Sequence, residues 1–196
     1  MKLYVTRHGE TDFNVEGRYT GSTDIPLNAK GLHQAEELAS KLSDIKFDVI
    51  ISSQLLRAKQ TAEIIHKTID APIVIIEEFA EVNIGVYEGL TREEAQVQHP
   101  EIWARQAEIY ATTGSRPIDD APTGGETLRQ FDARIARGLA KLKAAYAGNQ
   151  VLLVCHGFTS RVINRQLAGL SFNDMDTFVL GNCEVVEYEI APDIVA

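Results

Sequence analysis

Lys2-Leu3-Tyr4-Val5-Thr6-Arg7-His8-Gly9-Glu10-Thr11 opens the chain, and a second stretch far downstream, Val151-Leu152-Leu153-Val154-Cys155-His156-Gly157, repeats its plan. In each, a short apolar and β-branched run of strand type stops at a His-Gly pair and gives way to polar residues. Open α/β sheets place their sites at the carboxyl ends of strands. Two strands that both end in His-Gly therefore deliver two imidazoles to one crevice, and the remaining sequence reads as support for it.

Between and around these runs, two periodicities alternate. Leu32, Ala35, Leu38, Ala39 and Leu42 recur at helical spacing, after a Gly-rich polar loop over residues 16–30. Residues 48–51 read as a strand that stops at Ser52-Ser53, where a serine can cap a helix over residues 55–65. Arg57 falls in the first turn of that helix, beside free backbone N–H groups, and is a third candidate for an anion site. Residues 72–76 form another strand candidate and lead into an acidic, glycine-containing segment at 77–89.

From residue 91 to 122 the composition changes. Thr91-Arg92-Glu93-Glu94 has the form of a capping box, and Trp103, Ile109 and Tyr110 sit among polar residues, so a helical insertion is expected there. Trp103 and Tyr110 read as packing residues of that insertion, and His33, His66 and His99 as solvent-facing. Gly124-Gly125-Glu126 breaks the chain before a long amphipathic helix with Leu128, Phe131, Ile135, Leu139 and Leu142 on one face. A helix over residues 161–167 and an alternating strand over 184–190 complete a mixed α/β pattern, read as a single domain over 1–196.

The totals restrict the function. With 196 residues, 44% of them hydrophobic, the chain can bury a core. A net charge of −9 argues against nucleic acid as a partner, since no face is basic enough to displace phosphate counterions. No apolar run is long enough to span a bilayer, and the first residues reach a charged motif before a signal-peptide core could form. With Cys155 and Cys183 the only cysteines, no disulfide framework is expected, and a cytoplasmic location follows.

Phosphoryl transfer asks a protein for positioning and for cationic donors around the equatorial oxygens. Arg7 and Arg57 suit that task, because guanidiniums grip phosphate bidentately and stay charged. Neutral His8 can serve as the nucleophile if its second ring nitrogen is fixed by a hydrogen bond. A proton donor for the leaving alkoxide is also required, and Glu77, Glu78, Glu81 and Glu88 all qualify on sequence alone.

Arg7-His8-Gly9-Glu10-Thr11 with Asn14, the stretch 21–31 containing Asp24, Pro26 and Leu27, the run Ser52-Ser53-Gln54-Leu55-Leu56-Arg57-Ala58-Lys59-Gln60-Thr61-Ala62, and His156-Gly157 together resemble the histidine phosphatase superfamily, in its phosphoglycerate mutase-like branch. The resemblance implies a three-layer α/β/α sandwich with a mostly parallel central sheet and the insertion at about 91–122 over the active site. It implies that His8 is the phosphorylated nucleophile, that Arg7, Arg57 and His156 surround the phosphoryl group, and that Glu81 is the acid. Asn14, Thr20, Gly21 and the Gly157 backbone would line the phosphate pocket, with no metal and no cofactor.

The branch contains both mutases and phosphatases. The mutases are longer and hold a second anionic group with extra basic residues, whereas only Arg92, Arg105 and Arg116 are basic within 91–122, and Val82-Asn83 stand where the mutases have an arginine. Gly85-Val86-Tyr87-Glu88-Gly89 resembles the smaller phosphatases, although those usually carry tryptophan at the Tyr87 position. The expectation is a phosphomonoesterase acting on small phosphate esters, with phosphoglycerate mutase as the alternative and an inactive phosphate- or phosphoprotein-binding module as a reading of another class. Two rival enzymes compete. Cys155 and Arg161 have the Cys-x5-Arg spacing of cysteine-dependent phosphatases, although that family expects glycine at Phe158 and Ser or Thr at Val162; a metallohydrolase could use His8, His156 and Asp12. The strand over 184–190 could pair two subunits into a homodimer, but Glu187 and Glu189 also blunt such an edge.

Overall fold

A computed structural model describes residues 1–114 and 116–191; Ser115 and residues 192–196 of the expected domain lie outside the described residues. Five strands, β1 (Lys2–Arg7), β2 (Val49–Ser52), β3 (Ile73–Ile75), β4 (Gln150–Cys155) and β5 (Val185–Glu189), form one sheet in the order β3-β2-β4-β1-β5. The first four are parallel and β5 runs antiparallel to β1. Seven α-helices accompany them among the described residues: α1 (Asp12–Glu16), α2 (Ala29–Lys41), α3 (Leu56–Ile69), α4 (Arg92–Gln98), α5 (Pro100–Thr113), α6 (Leu128–Ala145) and α7 (Gly157–Ala168).

Strand alternation sorts the side chains into two cores. Leu3, Val5, Val49, Ile51, Val151, Leu153 and Cys155 face Phe131, Ile135, Leu139 and Leu142 of α6 and Val162 and Ile163 of α7. Tyr4, Ile50, Leu152 and Val154 face Leu38 and Ala39 of α2 and Ala58, Ala62 and Ile65 of α3. These are the three layers expected from the sequence. Burial on both faces explains why β1, β2 and β4 read as near-continuous apolar runs.

Beyond β1 the chain turns to the α2–α3 face, and beyond the adjacent β4 it turns to the α6–α7 face. That divergence between neighbouring parallel strands opens a crevice at their carboxyl ends.

Some local expectations need correction. Leu32 is exposed, because the buried stripe of α2 starts at Gly31 and continues through Ala35, Leu38 and Ala39. Tyr110 is also exposed: α5 buries none of its residues fully, and Trp103 is half-buried, against Tyr87 and under Arg92. Of the three histidines expected in solvent, only His33 is exposed; His66 Nδ1 bonds the Ala71 carbonyl at 2.9 Å, and His99 lies against Tyr87. Ser53 does not cap α3 directly, since the cap position falls on Leu55.

Candidate active site

Arg7 and Cys155 are register partners on β1 and β4, so the next residues, His8 and His156, emerge side by side. The His8 amide donates to the Cys155 carbonyl at 3.0 Å, and the two imidazole centroids are 5.2 Å apart. Both rings are buried, with relative exposures of 4% and 0%. Gly9 then passes so close to α2 that a Cβ on it would stand 2.3 Å from the Gly31 carbonyl oxygen, and a Cβ on Gly31 would stand 2.1 Å from that of Glu10. No residue with a side chain fits either position without moving backbone.

His8 Nδ1 lies 2.6 Å from the Gly9 carbonyl oxygen, which can only accept. The proton therefore sits on Nδ1 and leaves a lone pair on Nε2, toward which Arg57 Nε donates at 3.2 Å. Burial, followed by the Arg57 and Arg7 guanidiniums, holds the His8 imidazole well below its ordinary pKa, and His156 is held down by burial, Arg57 and His8. Both rings are neutral at physiological pH.

Arg57 is itself almost wholly buried, with its other donors on the Thr23 and Gly21 carbonyls at 2.7 and 2.8 Å. Thr61, one turn further along α3, accepts from the Gly9 amide at 3.1 Å and donates to the Arg57 carbonyl at 2.8 Å, joining the helix to the end of β1. Two buried polar atoms in this group have no protein partner, Arg7 Nε and His156 Nδ1. Gly157 stands beside Arg7: a Cβ there would lie 3.4 Å from Arg7 Nε.

The four candidate carboxylates separate cleanly. Glu77 is exposed, and Glu78 is paired with Lys141. Glu88 holds a loop, accepting from the Ser22 amide and hydroxyl at 2.8 Å each, from Thr23 Oγ1 at 2.5 Å and from the Ile84 amide at 3.3 Å. Glu81 is the one of the four held at the N-terminus of α7, the helix that follows His156. Its carboxylate accepts from the Phe158 and Thr159 amides at 2.9 and 3.0 Å and from Thr159 Oγ1 at 3.1 Å. It is also the strongest anionic influence on both Arg7 and Arg57, which burial would otherwise discourage from carrying charge.

The expected pocket residues divide. Gly21 has φ +51° and its carbonyl orients Arg57, while Gly157 opens α7 next to Arg7. Asn14 belongs to the capping box of α1 with Thr11, and Thr20 takes part in the turn through its carbonyl, which accepts from the Thr23 amide at 3.1 Å. Three contributors have no site role in the sequence reading. Ser53 Oγ lies 2.7 Å from His156 Nε2, Asn182 Nδ2 donates to the His8 carbonyl at 2.8 Å and lies 3.4 Å from Asn14 Oδ1, and Thr61 ties Gly9 to α3. Ser53 left a trace as a local capping signal, and both Ser53 and Thr61 lie in the run that carries the family resemblance, without a site role assigned to either.

The rival chemistries lack their geometry. Cys155 is in the apolar core, where burial pushes its thiol pKa up. Residues 157–161 are the first turns of a helix rather than a loop closing on an anion, and Arg161 pairs with Asp176 at 2.9 Å. Among the described residues, no group of three or more His, Cys, Asp or Glu side chains is arranged to hold a metal.

A buried neutral imidazole with a guanidinium at its lone pair and a second nearby, at the switch point of an open α/β sheet, defines a phosphoryl-handling enzyme of the α/β class. Residues 3–194 match the histidine phosphatase superfamily (branch 1), and the chain belongs to that superfamily. It is 37% identical over 165 residues to the uncharacterized phosphatase PhoE of Bacillus subtilis, covering 84% of this chain and 76% of that protein. It is 32% identical over 192 residues to the probable phosphoglycerate mutase GpmB of Escherichia coli, covering 96% and 86%. Among solved structures, the alpha-ribazole phosphatase of Shigella flexneri superposes with a TM-score of 0.87 at 28% identity, over 97% of this chain and 91% of the other. The protein is an enzyme of the histidine phosphatase, phosphoglycerate mutase-like type.

Proposed function

We propose that the protein is a metal-independent phosphomonoesterase for small phosphate esters, working through a phosphohistidine on His8. The observation that carries this reading is the tautomer of His8. Its Nδ1 proton is committed to Gly9, so Nε2 presents a lone pair to phosphorus without needing a base. Arg7, Arg57 and His156 hold the equatorial oxygens, with Asn14, Thr20, Gly21 and the Gly157 backbone around them, and Arg57 Nε transfers its hydrogen bond from His8 to an oxygen as the N–P bond forms. Glu81 protonates the departing alkoxide, then takes a proton from the water that attacks the phosphohistidine.

Hydrolysis is favoured over mutase chemistry by the state of the helical insertion, which we read as a cap within a single domain. Each of its basic residues is already engaged: Arg92 stacks on Trp103, Arg105 pairs with Asp120 at 3.0 Å and Arg116 with Asp176 at 2.7 Å. A second anionic group on the substrate would have to compete for them. The likeness to a probable phosphoglycerate mutase supports the second reading, interconversion of phosphoglycerates. No described helix is long and apolar enough to cross a membrane, which agrees with the cytoplasmic location we propose.

The test is phosphate release from p-nitrophenyl phosphate by the wild type, His8→Ala and Cys155→Ser, all in EDTA. The expected result is turnover by the wild type and Cys155→Ser, none by His8→Ala, and a phosphoenzyme that is labile to acid and stable to base. Activity in His8→Ala, or loss restored by metal, overturns the reading. Phosphoglycerate interconversion without phosphate release selects the mutase, and protection of bound ester without turnover selects a binding module.

A further inference from the structure

Arg134, in the middle of α6, is not part of the phosphoryl group's surroundings, yet all five of its N–H donors are directed to the loop that carries Glu81 and to one carboxylate beneath it. NH1 donates to the Glu78 and Ala80 carbonyls at 2.8 and 3.0 Å, and NH2 to the Glu81 carbonyl at 3.2 Å. The remaining donors, on NH2 and Nε, grip both oxygens of Glu126. Glu126 closes the Gly124-Gly125-Glu126 turn, and it fastens the far side of the same loop: its carboxylate accepts from the Asn83 amide at 3.0 Å and its own amide donates to the Asn83 carbonyl at 2.9 Å.

A second line of contact runs from the same guanidinium to the Glu81 carboxylate. Arg134 Cζ lies 4.8 Å over the Phe131 ring, and Phe131 stacks on Phe158 at 5.7 Å with the planes 4° apart. The Phe158 amide is one of the donors holding Glu81. Backbone and carboxylate of one residue are thus fixed from a single cation, itself neutralised and mostly buried with Glu126.

We infer that Arg134 and Glu126 form a positioning clamp for the proton donor, setting the distance between Glu81 and the leaving oxygen without touching substrate. The inference rests on the reading of Glu81 as the acid. Proton transfer tolerates little displacement, and a shift of about 1 Å can cost about 10²-fold. In kcat/KM, which reads only as far as phosphoenzyme formation, the clamp matters where the leaving group needs a proton and is silent where it does not.

The experiment compares kcat/KM for glycerol phosphate, a poor leaving group, with that for p-nitrophenyl phosphate, in full-length Glu81→Gln, Arg134→Lys, Glu126→Gln and the Arg134→Lys/Glu81→Gln double variant. Glu81→Gln is expected to lose about 10²-fold on the alkyl ester and to stay within about threefold on the aryl ester. Arg134→Lys should show the same selectivity with a loss of about 10-fold or more, Glu126→Gln a smaller version, and the double variant should be no worse than Glu81→Gln. Should Arg134→Lys not fold, Glu126→Gln, which keeps an acceptor and the side-chain volume, decides the matter.

Equal losses on both esters in the Arg134 and Glu126 variants, or multiplying losses in the double variant, overturn the clamp while a selective Glu81→Gln leaves the acid assignment standing. An unselective Glu81→Gln removes the acid assignment and the clamp with it.

Discussion

Acidification should destabilise this protein in a pH range where its carboxylates are still ionised. His8 and His156 are buried and neutral, with folded-state pKa values pushed well below the ordinary 6.5, chiefly by burial and then by Arg57. In the unfolded chain both titrate near 6.5. Below that value the unfolded state binds protons that the folded state refuses, so stability is fully present above about pH 6.5 and falls as pH falls toward the folded pKa. Each histidine contributes a limiting slope of about 1.4 kcal/mol per pH unit, so the pair should remove roughly 3 kcal/mol between about pH 7.5 and 5.5.

Carboxylates with lowered pKa, such as Glu78 beside Lys141 and Asp119 beside Arg129, carry the same sign but act only at lower pH. Urea unfolding at closely spaced pH values from 7.5 to 5.5 is the assay. His8→Gln and His156→Gln should each flatten the profile by about half, whatever their stability at pH 7.5. A wild type whose stability is level or rising on acidification, or single variants that keep the full slope, would refute the claim that these rings are buried neutral.

Two substitutions test the surroundings of His8. Arg57→Ala should lower kcat on p-nitrophenyl phosphate by about 10²-fold or more, since an oxyanion donor is lost, and should also lower the melting temperature because the Gly21 and Thr23 carbonyls lose their donor; near-normal kcat would exclude it from the site. Gly21→Ala forces a Cβ to within 2.4 Å of Glu88 Oε1 at φ +51°, a backbone conformation that costs about 1–2 kcal/mol for any L side chain. Because Glu88 is held from four sides it has little room to yield, so the loop and Arg57 should shift together. Steady-state kinetics showing unchanged kcat would mean that the carbonyl of Gly21 does not set the arginine.

Much of this architecture is readable from local sequence because the signals are local. The β1 and β4 runs announce burial on both faces, and each ends in the His-Gly pair that the sheet then brings together. The choice of Glu81 is different in kind. Glu78, Glu81 and Glu88 look alike in one dimension, and only the fold shows that Lys141 takes the first and the Ser22-Thr23 turn takes the last. Arg134 and Asn182 are invisible for a similar reason: an arginine in an amphipathic helix and an asparagine before a strand are ordinary until long-range packing gives them backbone groups to hold. Ser53 was readable as a polar stop after β2 but not as the partner of a histidine from β4. Leu32 and Tyr110 show the reverse error, since their residue types promise burial at helix positions that the packing leaves in water.

The position of β1 has a consequence for how the molecule comes into being. It is synthesised first, yet its two neighbours in the sheet are β4 and β5, which are synthesised last. While the chain grows, a strand with Leu3, Tyr4 and Val5 at its centre has both hydrogen-bonding edges open, and the loop that must close to satisfy them spans most of the sequence. Folding of the central sheet is therefore dominated by non-local pairing and should be slow for a chain of this size. The two imidazoles cannot meet before β4 has been made, so a nascent chain carries an unassembled nucleophile and an aggregation-prone strand until β4 and β5 have left the ribosome.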